Sequence, residues 1–148
     1  MKTLTLLQPW ASLVACGQKR IETRSWRTKY RGPMLIHSSG RLTPEARALV
    51  TCEPFATVLR AACPSFVTYP ESMFQGCLVA KCELVRCDPA DEVAPGLTYQ
   101  EHSFGDYTPG RWAWILDKIQ AVRFPDEYRV KGKVYLWDYD GPMPEVVA

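Results

Sequence analysis

Seven short segments typical of β-strands constrain the fold of this chain more than any other feature. Residues 3–7 alternate threonine with leucine, and residues 21–26 alternate in a similar way. A period of two residues is the pattern of a strand with one buried face. The predicted strands cover residues 3–7, 21–26, 34–37, 77–87, 112–116, 119–124 and 134–138.

Three helices are predicted between these strands, and each begins at a proline. Proline suits the first turn of a helix, because its missing N–H has no partner there in any case. The helices are expected over residues 10–16, from Thr43-Pro44, and from Pro54 to just before Cys63. Residues 88–110 are rich in proline, glycine and acidic residues, and we expect them to form a long loop.

The order of these elements indicates an α+β fold rather than a nucleotide-binding one. Strands do not alternate with helices, and no glycine-rich phosphate loop is present, so dinucleotide and nucleotide-hydrolysing folds are poorly supported. We expect residues 1–148 to form a single domain. Its architecture would be a small mixed β-barrel with two or three flanking helices.

Charge is distributed unevenly along the chain. The net charge is only +2, but residues 1–47 hold nine lysines and arginines against Glu22 and Glu45 alone. A basic first third favours a polyanionic partner, with nucleic acid preferred to a membrane. The alternative is a solvated surface on which the charges of the two parts cancel in space.

The six cysteines and two histidines do not form a metal-binding pattern. No Cys-x-x-Cys pair occurs, and neither histidine lies at ligand spacing to a cysteine, so we expect no metal and no cofactor. Cys77, Cys82 and Cys87 fall in one predicted strand, and we interpret the cysteines as reduced core thiols of a cytoplasmic protein. No apolar run is long enough to cross a bilayer, so no membrane is expected as a partner.

Residues 17–26 carry the candidate chemistry. Lys19 lies just before a predicted strand, on which Glu22, Arg24 and Trp26 share one face. Arg24 can form a bidentate contact with a phosphate or a base edge, and Trp26 or Trp10 can stack on a base. Lys19 and Glu22 are close enough to pair and to move protons. The alternative is a surface strand whose ion pair contributes little.

Several motifs strongly resemble the ASCH domain, and together they extend over residues 4–138. The family signature is Gly-x-Lys-x-x-Glu-x-Arg, and all four of its defined residues occur in order. The matching stretches are Leu7-Gln8-Pro9-Trp10-Ala11-Ser12-Leu13, Gly17-x-Lys19-x-x-Glu22-x-Arg24-Ser25-Trp26, Tyr30-Arg31-Gly32-Pro33-x-x-Ile36-His37, Gly76-Cys77-Leu78-Val79, Phe104-Gly105-Asp106-Tyr107-x-Pro109-Gly110-Arg111-Trp112-Ala113-Trp114 and Lys131-Gly132-Lys133-Val134-Tyr135-Leu136-Trp137.

The resemblance implies a PUA-like barrel with the signature residues in a cleft. PUA-like domains bind RNA or read modified bases, and some ASCH proteins remove the acetyl group of N(4)-acetylcytidine with a lysine, a threonine and a downstream glutamate. Lys19 and Arg24 match such a pattern, whereas Glu22 occupies the position of the threonine and Thr23 faces the other side of the strand. Glu101 is the candidate for the downstream glutamate. The catalytic candidates are therefore Lys19, Glu22 and Glu101.

The remaining candidates are expected to bind the ligand. Arg111 is placed in the cleft by the resemblance alone, Tyr107 would stack on a ligand or anchor its loop, and His37 would be either a satisfied polar residue or a ligand contact. The full set of predicted binding residues is Trp10, Arg24, Trp26, Arg31, His37, Tyr107 and Arg111.

Three functions remain open at this point. The first is binding of single-stranded RNA or a modified cytidine nucleoside in a basic cleft. The second is an enzyme at the same site, either an amidohydrolase of N(4)-acetylcytidine centred on Lys19 or a ribonuclease. The third is a module that binds protein. The sequence does not indicate the oligomeric state.

Overall fold

The computed structural model describes residues 1–124 and 128–148. Over this range the chain forms seven strands, six of them along one sheet path. The strands are β1 (Lys2–Leu6), β2 (Ile21–Arg24), β3 (Gly32–Ser38), β4 (Cys77–Pro89), β5 (Trp112–Arg123), β6 (Leu136–Asp138) and β7 (Glu145–Val146).

The helices in the described part of the chain are all short. Thr43 caps the second as predicted, because its side-chain oxygen accepts the N–H of Ala46 at 3.1 Å, and the third ends before Cys63 as expected. The α-helices are α1 (Trp10–Ala15), α2 (Pro44–Leu49), α3 (Phe55–Ala62), α4 (Pro64–Thr68), α5 (Ala90–Val93) and α6 (Tyr99–Ser103), with 3₁₀ turns at Pro70–Ser72 and Ala94–Gly96. None of these helices has the length and apolar character needed to span a membrane.

The sheet runs in the order β2-β5-β4-β3-β1-β6, and β7 pairs with the far end of β5. β1 and β3 are parallel, and the remaining pairs are antiparallel. The long ribbon of β4 and β5 shifts register twice, between Lys81 and Glu83 and between Leu84 and Arg86. Such irregularities increase the local twist, and the sheet curls into a half-barrel.

The concave face of this half-barrel holds the main core. Leu4, Met34, Ile36 and Trp114 are buried there together, which accounts for the alternation seen in the strand segments. A second cluster joins α1 to the helices that follow β3, through Leu13, Val50, Phe55, Phe66 and Phe104. The helices therefore close one end of the curled sheet.

A side chain bridges the two ends of the curled sheet. β6 pairs only with Lys2, Thr3 and Leu4 of β1, so no strand of the described part of the chain flanks the rest of β1 on that side. Arg24 of β2 crosses the opening and donates from Nη2 to the carbonyl oxygen of Thr5 at 2.7 Å. The space between β2 and the end of β1, which we call the cleft, is closed by this contact rather than by strand pairing.

The α+β, PUA-like prediction is confirmed, and several elements differ in detail. Residues 88–110, expected to be a loop, contain α5, a 3₁₀ turn and α6, and the number of helices exceeds two or three. The predicted strands at 112–116 and 119–124 form the single strand β5, which continues through Lys118 in a left-handed conformation (φ 48°).

Candidate functional site

The end of α1 places Lys19 at the start of the signature strand. Gly17 has φ of 74°, a left-handed conformation that glycine adopts without steric cost. The N–H groups of Gln18 and Lys19 both donate to the carbonyl oxygen of Leu13, at 2.9 and 3.0 Å. One carbonyl group at the helix end thereby accepts two N–H groups, and the chain turns directly into β2.

Lys19, Glu22 and Arg24 form a ladder of alternating charges. Lys19 is fully buried, and its Nζ donates to the carbonyl oxygen of Ile21 and lies 3.4 Å from Glu22 Oε2. The other carboxylate oxygen of Glu22 lies 3.5 Å from Arg24 Nε. The ladder confirms the predicted proximity of Lys19 and Glu22, and it runs from the buried lysine outward to the arginine.

Exposure increases along this ladder. The side chain of Glu22 is 14% exposed and that of Arg24 is 26% exposed, so only the outer members meet solvent. With one carboxylate between two cations, the ladder carries a net positive charge. A buried cation is tolerated only where it is paired and hydrogen-bonded, and Glu22 provides the counter-charge to both Lys19 and Arg24.

Glu101 lies at the edge of β2 that pairs with no strand in the described part of the chain. Its carboxylate accepts the backbone N–H groups of Arg20 and Ile21, each at 3.0 Å. Thr98 caps α6 by accepting the N–H of Glu101 at 3.2 Å, which brings the glutamate to this edge. Both oxygens are occupied by the backbone that carries Lys19, so Glu101 positions the signature segment.

Residues 98–111, which we call the strap, hold β2 at further points. Arg111 donates from Nη2 to the carbonyl oxygen of Thr23 at 3.2 Å and from Nε to that of Asp106 at 3.1 Å. The hydroxyl of Thr23 accepts the N–H of Asp106 at 3.1 Å. Hydrogen bonds from Thr108 lower the pKa of Asp106, which keeps this carboxylate charged beside Arg111.

Tyr107 is an internal residue of the strap. Its ring is buried and stacks on His102 with centroids 5.3 Å apart. Burial raises the pKa of its hydroxyl, and the charges of Glu101 and Glu22 raise it further. The geometry fits the expectation that Tyr107 anchors its loop and leaves its ring no room for a ligand.

Two aromatic rings stand at the rim of the cleft. Trp26 makes edge-to-face contacts with Trp114, at 4.6 Å between centroids, and with Tyr135, at 5.4 Å. The indole N–H of the buried Trp114 donates to the carbonyl oxygen of Trp26 at 3.3 Å. Trp26 is thus held in place by Trp114, while Tyr135 is 67% exposed.

Three other predicted binding residues lie away from the ladder or are inaccessible, namely Trp10, Arg31 and His37. Trp10 donates to the carbonyl oxygen of Phe104 at 2.9 Å and packs on Phe55 in the helical cluster. Arg31 donates to the carbonyl oxygens of Thr28 and Tyr30 within its own turn.

His37 is buried at the end of β3. Its Nε2 lies 2.8 Å from the carbonyl oxygen of Val130, while Nδ1 has no hydrogen-bond partner in the described part of the chain. Burial lowers the pKa of His37, so the neutral ring is favoured. A Cβ atom placed on Gly132 would approach this ring to 2.6 Å, which shows how closely the backbone covers it.

The cysteines and acidic groups supply no metal site among residues 1–124 and 128–148. All six cysteines are free, but the expectation that they are core thiols holds fully only for Cys82. Burial raises the pKa of the Cys82 thiol to about 12. Cys52, in contrast, is exposed.

Two shallow depressions of about 580 Å³ each lie outside the cleft, against the outer side of β2 and β5. Ile21, Leu97 and Ile115 line both of them. None of the ladder residues lines either depression, so we identify the candidate site from side-chain chemistry rather than from cavity volume.

Sequence reasoning missed Tyr135 and the carbonyl group of Thr5. Tyr135 lies in the strand predicted over residues 134–138, but its φ of 60° ends the extended backbone there, and β6 begins one residue later. The two lysines around Gly132, just before an aromatic residue, are the signal that could have found this segment. No pattern indicates that Thr5 would accept Arg24, because that contact depends on how far β6 extends.

Comparison with known proteins identifies the family. The ASCH domain model matches residues 4–131. The chain is 29% identical over 145 residues to activating signal cointegrator 1 of Mus musculus and 33% identical over 143 residues to that of Homo sapiens, and each match covers 95% of this chain and 22% of the relative. The chain thus spans about a fifth of the length of the curated relatives it matches. The chain belongs to the ASCH domain family, a family associated with RNA binding.

Proposed function

We propose that the cleft between β1 and β2 binds single-stranded RNA or a modified cytidine nucleoside. The observation that carries this proposal is the charge ladder, which buries Lys19 and presents Arg24 at the rim. Nη2 and Nε of Arg24 face Thr5 and Glu22, and Nη1 has no protein acceptor in the described residues. This donor lies on the strand that leads to Trp26, a ring able to stack on a base.

The same contacts favour binding over catalysis. Lys19 Nζ is buried, bonded to Ile21 and paired with Glu22, so it would have to break these contacts to attack an acyl carbon. Glu101 is occupied by two backbone N–H groups. A lysine amine engaged by a carboxylate and a backbone carbonyl is poorly placed for nucleophilic attack.

Hydrolysis of N(4)-acetylcytidine is the second candidate, and the partial exposure of Glu22 supports it. Glu22 occupies the position of the family's threonine and is 14% exposed. A water held by its carboxylate could attack the acetyl carbonyl, with the proton passing to Glu22 and then to the leaving amine, giving acetate and cytidine. Ribonuclease activity and protein binding are weaker candidates, since no specific contact supports them.

Salt-dependent binding of RNA tests the proposal. We expect a fluorescent oligouridine to bind with an affinity that falls as salt rises, because phosphate contacts release counterions. Arg24→Ala should weaken binding about tenfold and reduce the slope against log salt by about 0.7. Arg60→Ala is the control, because Arg60 is exposed on α3. Equal affinities for wild type and Arg24→Ala would contradict the proposal.

Mass spectrometry of N(4)-acetylcytidine separates the enzyme from the binder. Release of cytidine that is lost in Glu22→Gln and in Lys19→Met would support hydrolysis. Unchanged substrate, together with RNA binding that depends on Arg24, would support binding alone. If neither cytidine release nor RNA binding changes in these variants, protein binding is the remaining function.

A further inference from the structure

We propose that Tyr135 and Trp26 form a corner that holds an unpaired base of an RNA strand. The inference rests on the proposed function and narrows its ligand from a nucleoside to a strand. The two rings meet edge to face, at 71° with centroids 5.4 Å apart. In that arrangement Trp26 covers at most one face of the tyrosine ring, and Tyr135 as a residue is 67% exposed.

The backbone at Tyr135 is the second observation. A φ of 60° is unfavourable for a bulky residue, and such conformations cluster at functional sites. Tyr135 directly precedes β6, the strand that pairs with only part of β1. The left-handed turn therefore directs this ring toward Trp26, across the opening that Arg24 bridges.

Two cations that are close to the corner residues in sequence favour a strand over a free nucleoside. Arg27 lies over Trp112 at 5.0 Å and Lys133 over Trp137 at 5.7 Å, and both side chains are exposed. These cations flank the two corner residues in sequence. A nucleoside carries no phosphate, so they would contribute nothing to its binding, whereas consecutive phosphates of a strand can meet both.

Binding of two oligomers to one variant tests this assignment. Decauridine and a decamer of abasic ribose phosphate carry the same phosphates, and only decauridine carries bases. We expect Tyr135→Ala to weaken decauridine binding about tenfold, the usual effect of losing one stacking ring, and to change binding of the abasic decamer less than twofold. Alanine keeps a Cβ atom, so the cost of the left-handed backbone is retained in this variant.

Two further variants control for the fold and for the ring. Tyr135→Phe keeps the ring and should bind decauridine within twofold of wild type. Tyr69→Ala removes an equally exposed tyrosine (66%) from the helical side of the protein and should have no effect.

The possible results distinguish this inference from the proposed function. If wild type binds neither oligomer, the proposed function fails and this inference fails with it. If binding depends on Arg24 but Tyr135→Ala binds decauridine like wild type, or loses affinity for both oligomers equally, only the assignment of the corner is wrong. If free uridine binds as tightly as decauridine, and this binding depends on Tyr135, the preference for a strand would be wrong.

Discussion

The two sides of β2 are bonded in different ways. On its outer edge, the N–H of Ile21 and the carbonyl of Thr23 are each held by a side chain of the strap. On the face toward the cleft, the side chain of Arg24 makes only one hydrogen bond to protein among the described residues, to the carbonyl oxygen of Thr5. The signature segment therefore has one side that is used to hold the fold and another that is available to a ligand.

This contrast explains why similar residue types have different roles. Arg111 and Arg24 are both about a quarter exposed, at 29% and 26%, and each donates to a backbone carbonyl. Tyr107 and Tyr135 are both aromatic residues of family motifs, but one is buried in the strap and the other stands at the rim. Position relative to β2, more than residue type, decides which of them can meet a ligand.

The largest expected effect comes from breaking the ladder itself. Glu22→Gln leaves the buried Lys19 without its counter-charge, and we expect the free energy of unfolding to fall by about 3 kcal/mol. Urea denaturation followed by tryptophan fluorescence measures this change. Glu71→Gln, which breaks the exposed pair with Arg47, is the control and should have no measurable effect. Equal stabilities of the two variants would show that the ladder is not effectively buried.

A smaller effect is expected at the strap. Glu101→Ala removes the acceptor of the Arg20 and Ile21 N–H groups, and we expect a loss of about 2 kcal/mol of unfolding free energy. The affinity for RNA should be measured under conditions in which this variant is fully folded. Any loss of affinity should then come only from the displacement of Lys19 and Arg24. If Glu101→Ala is as stable as wild type but has lost hydrolysis of N(4)-acetylcytidine, Glu101 would instead be a catalytic residue.

The smallest effect concerns pH. Burial lowers the pKa of His37 in the folded protein below its ordinary value of 6.5, so the unfolded chain binds more protons just below that pH. The free energy of unfolding should therefore decrease as pH falls through this window, by at most about 1.4 kcal/mol per pH unit. His37→Gln should flatten the dependence, and His102→Gln, at an exposed position, should not.

Local patterns predicted most of the elements and the inner part of the site. The alternation in β2 correctly put Glu22 and Arg24 on one face, and Gly17 correctly ended α1. The prediction failed where tertiary contacts decide the outcome. Thr98 and Glu101 have the spacing of a capping box. This signal for α6 was obscured by the loop-like composition of residues 88–110. Glu101 also accepts hydrogen bonds from residues about 80 positions earlier in the chain, which no local pattern predicts.

The rim of the cleft could not be predicted for a different reason. A left-handed tyrosine has no sequence signature, because the conformation opposes the intrinsic preference of the residue and is imposed by its surroundings. Residues 134–138 have the composition of a strand, yet the strand covers only Leu136–Asp138. The contact of Arg24 with Thr5 likewise joins the two ends of the sheet, which no local pattern specifies.

The most direct test of this account compares RNA affinities of Arg24→Ala and Arg111→Ala under one salt condition. Both variants lose an arginine of similar exposure that is bonded to a backbone carbonyl. We predict a loss of about tenfold for Arg24→Ala and less than twofold for Arg111→Ala when both are folded by circular dichroism. Equal losses, or a greater loss for Arg111→Ala, would contradict the assignment of the ligand to the cleft side of β2.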